Sequence, residues 1–228
     1  MEEGNIMYQK AFVGCASFLA IVVLGAFPAL ASALPTVREN GTLVAKGSKM
    51  VGTNFGNTAF TAFDGTTDVG TITCTSSVLT GPLTANEPLV EGINWELTSA
   101  SFAGAEAENK CGSTFFGAVK VTVNALPYCF LSGVAFGAFE IYGGACNKNG
   151  TLRITFVGNA TCTYETAKGL PGTYAIEDNG TEATKIKLAN QTLPGSAGNG
   201  PLCPEVMKFS AIYSLETDGT TTALAIHN

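Results

Sequence analysis

Lys208-Phe209-Ser210-Ala211-Ile212-Tyr213-Ser214-Leu215-Glu216 decides the fold class. Phe209, Ala211, Tyr213 and Leu215 alternate with Lys208, Ser210, Ser214 and Glu216, so a backbone of period two puts the apolar set on one face. The same alternation recurs upstream. Val119, Val121 and Val123 alternate with Lys120, Thr122 and Asn124; Leu152, Ile154 and Phe156 with Arg153 and Thr155; Ile186 and Leu188 with Lys185 and Lys187. Helical periodicity is missing, and only Gly104 to Lys110, carrying Glu106 and Glu108, reads as a helical turn. Asp64-Gly65, Asn149-Gly150, Asn179-Gly180 and Asp218-Gly219 supply residues that take positive φ readily and suit tight hairpins. The expectation is an all-β antiparallel sandwich or barrel. No Pro- or Ser-rich linker divides it, which favours two related β modules packed together over two independent domains.

Residues 11 to 34, AFVGCASFLAIVVLGAFPALASAL, form an uncharged apolar run preceded by Lys10 and ended by Ala31-Ser32-Ala33. A basic flank, an apolar stretch and an A-x-A triplet have the layout of a secretory signal peptide, here residues 1–33, with the mature chain starting at Leu34. Met7 is a better start than Met1, because it drops Glu2 and Glu3. The competing reading is an uncleaved anchor, since about 20 apolar residues span a bilayer; Pro28 and the A-x-A triplet argue for removal. Cys15 has almost no apolar segment before it, which argues against a lipid anchor. Leu193-Pro194-Gly195-Ser196-Ala197 lacks the threonine of a cell-wall sorting site and has no apolar tail behind it.

The chain has 12 basic and 18 acidic residues. Without Lys10, Glu2 and Glu3 the mature portion, residues 34–228, keeps 11 and 16, a net charge of −5. Nucleic-acid binding draws on clustered Lys and Arg, and only Lys185 and Lys187 stand close together, so no nucleic-acid partner is expected. Charged residues make up 13% of the chain while Gly, Thr, Ser and Asn abound, which predicts a neutral, polar surface.

With Cys15 removed, Cys74, Cys111, Cys129, Cys146, Cys162 and Cys203 remain, an even number that reads as three disulfides. Zinc ligation is disfavoured, because no C-x-x-C exists and the lone histidine is His227, beside the chain end. Two stretches, 73–111 and 161–203, share a pattern. Thr73-Cys74-Thr75 and Thr161-Cys162-Thr163 each precede a Leu-x-Gly, at Leu79 to Gly81 and Leu170 to Gly172; Leu97 then matches Leu188, Phe102 matches Leu193 and Gly104 matches Gly195, and each stretch closes on a cysteine. Read as a repeat, the pattern pairs Cys74 with Cys111 and Cys162 with Cys203, leaving Cys129 for Cys146. Read as a chance likeness of two Thr- and Gly-rich segments, it leaves every pairing open.

Chemistry is harder to find. His227 lies where chain ends fray and is expected to be an exposed tail residue, which leaves no imidazole for a Ser or Cys nucleophile. Neither G-x-S-x-G nor a P-loop occurs. The acids cluster as Glu106 with Glu108 and Glu177 with Asp178, where a solvated loop competes with a glycosidase pair. Asp178 to Glu182 offers calcium-type oxygen ligands but lacks the twelve-residue loop pattern, and a hairpin turn explains it. No cofactor or metal site is therefore expected. Phe55, Phe60, Phe63, Phe115, Phe116, Tyr128, Phe130, Phe136 and Phe139 are either a ligand platform or core; Trp95, which corresponds to Ile186, is read as core. Sequons at Asn40, Asn149, Asn159, Asn179 and Asn190 matter only in a eukaryotic secretory path.

Gly41-Thr42-Leu43-Val44, Thr73-Cys74-Thr75, Leu126-Pro127-Tyr128-Cys129, Gly143-Gly144-Ala145-Cys146, Thr161-Cys162-Thr163-Tyr164-Glu165, Leu202-Cys203-Pro204 and Leu215-Glu216-Thr217 together resemble small exported cysteine-containing β-rich proteins of high-GC Gram-positive bacteria, a group without an established activity. The resemblance covers most of the mature chain and implies export and fold but no catalytic residue. Three functions are carried forward: a non-enzymatic extracellular or cell-envelope module that binds a glycan or protein surface or contributes structure; a barrel carrying a small apolar ligand; and a hydrolase using two carboxylates. The first is preferred, with no membrane span in the mature chain.

Overall fold

The computed structural model describes residues 34–88, 91–132, 136–146, 150–176 and 182–227. The segment read as a signal peptide, residues 1–33 with Cys15, the turns at Asn149-Gly150 and Asn179-Gly180, and the Glu177–Asp178 and Asp178–Glu182 acid groups lie wholly or partly outside these residues.

Eighteen strands follow in chain order: β1 (Thr36–Glu39), β2 (Thr42–Leu43), β3 (Lys49–Asn54), β4 (Thr58–Asp64), β5 (Thr67–Cys74), β6 (Ser76–Glu87), β7 (Gly92–Leu97), β8 (Ser99–Ala103), β9 (Gly112–Ser113), β10 (Lys120–Asn124), β11 (Tyr128–Ser132), β12 (Ala138–Gly143), β13 (Leu152–Val157), β14 (Thr161–Thr166), β15 (Leu170–Ile176), β16 (Glu182–Pro194), β17 (Val206–Thr217) and β18 (Ala225–His227). The helical turn expected near Gly104 to Lys110 is a single 3-10 turn, Ala107–Asn109. All ladders are antiparallel. Of the two architectures expected, the chain adopts the barrel: β3, β6, β7, β11, β12, β15, β16 and β17 form a ring of eight strands, closed where β17 pairs with both β16 and β3.

The alternation that opened the sequence analysis sets the inner face. Phe209, Ala211, Tyr213 and Leu215 of β17 are buried inside the ring, where Tyr213 Oη lies 2.6 Å from Ser77 Oγ of β6. Trp95, Phe130, Phe139 and Tyr174 form an aromatic chain across β7, β11, β12 and β15, with successive ring centroids 6.0, 4.4 and 5.7 Å apart. Gly172 makes room for Phe139, whose ring a Cβ there would enter at 2.1 Å. Lys49, Glu96, Glu140, Lys187, Lys208 and Glu216 occupy the opposite phase of their strands, so the outer face of the barrel is charged, unlike the apolar band of a membrane barrel. Among the described residues, no helix is long and apolar enough to cross a membrane.

The two stretches with a shared pattern both become bent hairpins of this ring. In one, β6 returns through β7 and β8; in the other, β15 returns through β16, and β14 of the neighbouring sheet meets the chain just past β16 at a single Tyr164–Gly195 bridge. Leu83 faces Trp95 and Tyr174 faces Ile186, all four buried, and each ladder shifts register just beyond that pair. The bend between β7 and β8 needs Gly81, because a Cβ there would lie 1.8 Å from the carbonyl oxygen of Glu96.

Both barrel ends are covered. At one, β1, β2 and β18 fold over, and buried Asn86 ties them down by accepting from Val37 N (2.8 Å) and donating to the carbonyls of Val37 (2.8 Å) and Val44 (2.9 Å). His227 is thereby held in a ladder, opposite Thr36 and Glu182, and is half-buried; the frayed, exposed tail expected for it is not what forms. At the other end, β4, β5 and β9 extend the sheet from β17, and a separate three-stranded sheet, β10-β13-β14, caps the opening. Phe60, Phe102, Phe156, Phe209 and Tyr164 knit extension, cap and barrel together through edge-on and stacked ring contacts.

Three disulfides, Cys74–Cys111, Cys129–Cys146 and Cys162–Cys203, follow the pairing that the repeat pattern implies, with Cα–Cα distances of 4.6, 4.7 and 5.5 Å. Each sits on a connection to the cap. Cys111 precedes β10, Cys146 lies between β12 and β13, and Cys162 is in β14; their partners are Cys74 of β5, Cys129 of β11 and Cys203 in the β16–β17 connection. Three bridges in one domain belong to an oxidising, extracytoplasmic setting.

Four buried tyrosines stiffen this assembly and set an alkaline limit on it. Burial pushes Tyr213 and Tyr128 up to about 12 and raises Tyr164 and Tyr174 as well. The neutral phenol is favoured in the fold, so its contribution is complete below the ordinary tyrosine value near 10 and is lost as pH rises toward about 12. Circular dichroism through that window is expected to show cooperative unfolding together with phenolate absorbance. A folded protein with all tyrosines ionised at pH 11 would contradict it.

Candidate functional site

The register of the cap builds a polar surface. On its inner face Val121, Leu152, Ile154, Phe156, Cys162 and Tyr164 pack downward, as period two demands. On its outer face the ladders align three cross-strand rows: Lys120, Val157 and Thr161; Thr122, Thr155 and Thr163; Asn124, Arg153 and Glu165. Eight of these nine positions are polar. Tyr128 fastens the cap to the barrel from below, its hydroxyl donating toward the carbonyl oxygens of Asn124 and Arg153 and accepting from Arg153 N at 2.7 Å.

Beyond β14 the chain from Gly195 to Asn199 forms a rim. Ser196 N donates to the carbonyl of Thr163 at 2.8 Å, and the Asn199 side chain mimics a neighbouring strand, accepting from Thr163 N and donating to Thr163 O, both at 2.8 Å. The Cys162–Cys203 bridge holds the rim in place. Rim and sheet enclose a depression of about 510 Å³ lined by Asn124, Arg153, Thr155, Thr161, Thr163, Ser196, Gly198 and Asn199. Arg153 is paired with Glu165 of the adjacent strand beside it, Nε and Nη2 each 2.7 Å from Oε2. Both are part-exposed, so the pair adds little stability, but Glu165, just outside the lining, neutralises the one cation that lines the depression.

The barrel interior is a poorer candidate. Between its mouth and the cap lies an apolar space lined by residues such as Leu79, Phe102, Ile141, Ile154 and Phe209, with about 40 Å³ free. Drug-sized ligand pockets run to about 300 Å³ or more. Trp95 is buried with the core, as are Phe60, Phe116, Tyr128, Phe130 and Phe139; Phe63, Phe115 and Phe136 are half-buried, and Phe55 is exposed beneath the Lys185 ammonium.

Glu106 and Glu108 are exposed, and Glu108 is held below its ordinary value by a hydrogen bond and ion pair with Lys110, at 2.7 Å. A general acid needs the opposite shift. No cluster of three His, Cys, Asp or Glu residues suited to a metal is found among the described residues. The sequon asparagines are exposed, Asn40 in a turn, Asn159 in a bend and Asn190 at the irregularity within β16. The depression itself was half visible in the sequence, since Lys120, Thr122, Asn124, Arg153 and Thr155 stood out as the polar phase of two strands; Thr161, Thr163, Ser196 and Asn199 carried no such mark.

These features define a disulfide-stapled, eight-stranded antiparallel barrel with a polar-faced cap. Compared with known proteins, the chain matches no family model, no curated protein and no solved structure.

Proposed function

We propose that the protein is an exported, non-catalytic binding module of the cell exterior or envelope, and that it meets its partner through the outer face of the cap. The observation that carries this is the depression over β10, β13 and β14: a concave, polar surface on a sheet stapled by disulfides, so little ordering remains to be done on binding. The leader-like residues 1–33 and the resemblance to exported proteins of high-GC Gram-positive bacteria support the location. A carrier role has the closed barrel in its favour, but side chains already fill that barrel. A two-carboxylate hydrolase would need an acid raised in pKa, and Glu108 is shifted the other way.

Incubating purified residues 34–228 with polysaccharides and a glycan array tests the proposal. Saturable binding without turnover, lost when Thr163→Arg fills the depression, is the expected result. Product release from any polysaccharide would overturn the non-catalytic reading, and binding that T163R leaves unchanged would move the contact surface elsewhere.

A further inference from the structure

We infer that the cap's depression accepts an uncharged, polyhydroxylated ligand, a neutral saccharide, in preference to any anion or cation. The inference rests on the proposal that this face is the binding surface, and it follows from counting which hydrogen-bonding groups the protein leaves unused.

Thr155 Oγ1 donates its only proton to Asn124 Oδ1 at 2.8 Å. In the 3.1 Å contact between Thr155 and Thr163 the proton must therefore come from Thr163, which leaves Thr163 Oγ1 facing the depression with lone pairs only. Ser196 likewise gives its proton to Glu165 Oε1 at 3.3 Å and keeps lone pairs. Asn199 uses its oxygen and one N–H on the Thr163 backbone and keeps the second N–H of Nδ2. On the donor side, among the described residues, Asn124 keeps both N–H groups of Nδ2, Arg153 keeps those of Nη1, and the exposed Thr161 hydroxyl has no partner.

The free groups are thus a mixture of donors (Asn124, Arg153, Thr161, Asn199) and acceptors (Thr163, Ser196). A carboxylate or a fully ionised phosphate only accepts, so it would leave Thr163 and Ser196 unanswered. An ammonium group only donates, and would face Asn124 and Arg153. A sugar hydroxyl donates and accepts at one atom, and adjacent hydroxyls on a ring can answer both kinds at once. The zero net charge of the Arg153–Glu165 pair removes any electrostatic preference for an ion. The row from Thr161 to Glu165 runs about 13 Å, longer than one sugar ring, and no aromatic ring lines the depression for stacking. Single sugars should therefore bind weakly and short chains better.

Titrating residues 34–228 with neutral trisaccharides (cellotriose, xylotriose, maltotriose), with trigalacturonate and with inorganic phosphate, followed by amide chemical shifts, decides the matter. A neutral trisaccharide is expected to shift amides of β13, β14 and Ser196 to Asn199, with an affinity unchanged between low and high salt. Asn124→Ala and Thr161→Val should each weaken it about tenfold, while Lys187→Ala on the barrel wall should not. Tighter, salt-sensitive binding of trigalacturonate or phosphate at these same amides would overturn the neutral-saccharide inference and leave the binding face standing. If none of the five probes perturbs these amides, the inference falls, and if the array ligand also maps elsewhere, the binding face falls with it.

Discussion

Reduction of all three disulfides is expected to unfold the protein at room temperature. The bridges span 37, 17 and 41 residues, which by loop-closure entropy corresponds to about 4, 3 and 4 kcal/mol. Their sum is comparable to the whole stability of an ordinary domain, about 5–15 kcal/mol. The loss should begin at the cap, because every bridge fastens one of its connections. Access orders the steps: Cys146 and Cys203 are half-buried and open to attack by a thiolate, whereas Cys74 and Cys111 are both fully buried. Cysteine alkylation and mass spectrometry over a reductant series should find Cys74–Cys111 surviving longest, with loss of circular dichroism accompanying its opening. A fully reduced protein that melts within a few degrees of the oxidised one would refute the staple argument.

Trp95→Ala should be the most damaging single substitution in the barrel, at about 3–5 kcal/mol for the cavity alone. Trp95 is fully buried between Leu83 of β6 and Phe130 of β11, and its ring tip fills the space above Gly52, where a Cβ would come within 3.1 Å of it. Its indole N–H also donates to the Gly81 carbonyl at 3.0 Å. That carbonyl belongs to the residue whose missing side chain lets Glu96 cross at the bend, so the hydrogen bond pins the place where the hairpin turns out of the ring. Trp95→Phe keeps most of the volume and removes this hydrogen bond while the Gly81 carbonyl stays in the ladder opposite Met50, a cost of about 0.5–1.5 kcal/mol. Urea denaturation followed by circular dichroism should rank wild type above W95F and W95F above W95A. Equal midpoints for W95F and wild type would mean that the hydrogen bond contributes nothing.

The all-β class was legible because period two in β10, β13 and β17 survives any tertiary arrangement: one face of each must be buried whichever partner covers it. The disulfide pairing was legible for a related reason, since corresponding cysteines at the ends of two similar bent hairpins reach corresponding partners. His227 was misread, because chain-end position says nothing of the β18 ladder that β1 and β16 provide for it. The site was legible only in part. Alternation marks Asn124, Arg153 and Thr155 as facing away from the core, but not which residues of other strands stand beside them.

On its own, the sequence determined local periodicity, the polar or apolar phase of each strand and the turns at Asp64-Gly65 and Asp218-Gly219, and its repeat pattern, read as a repeat, named the cysteine partners; all are carried by neighbours or by matching positions in the chain. The tertiary structure alone decided that the sheet closes on itself through β16, β17 and β3, that β10, β13 and β14 leave it to form a cap, and that Asn199 folds against Thr163 to rim a depression. Those outcomes depend on ladder register between distant segments. A shift of one residue would turn each outward threonine inward, and only the assembled core selects the register that keeps Phe156 and Tyr164 buried.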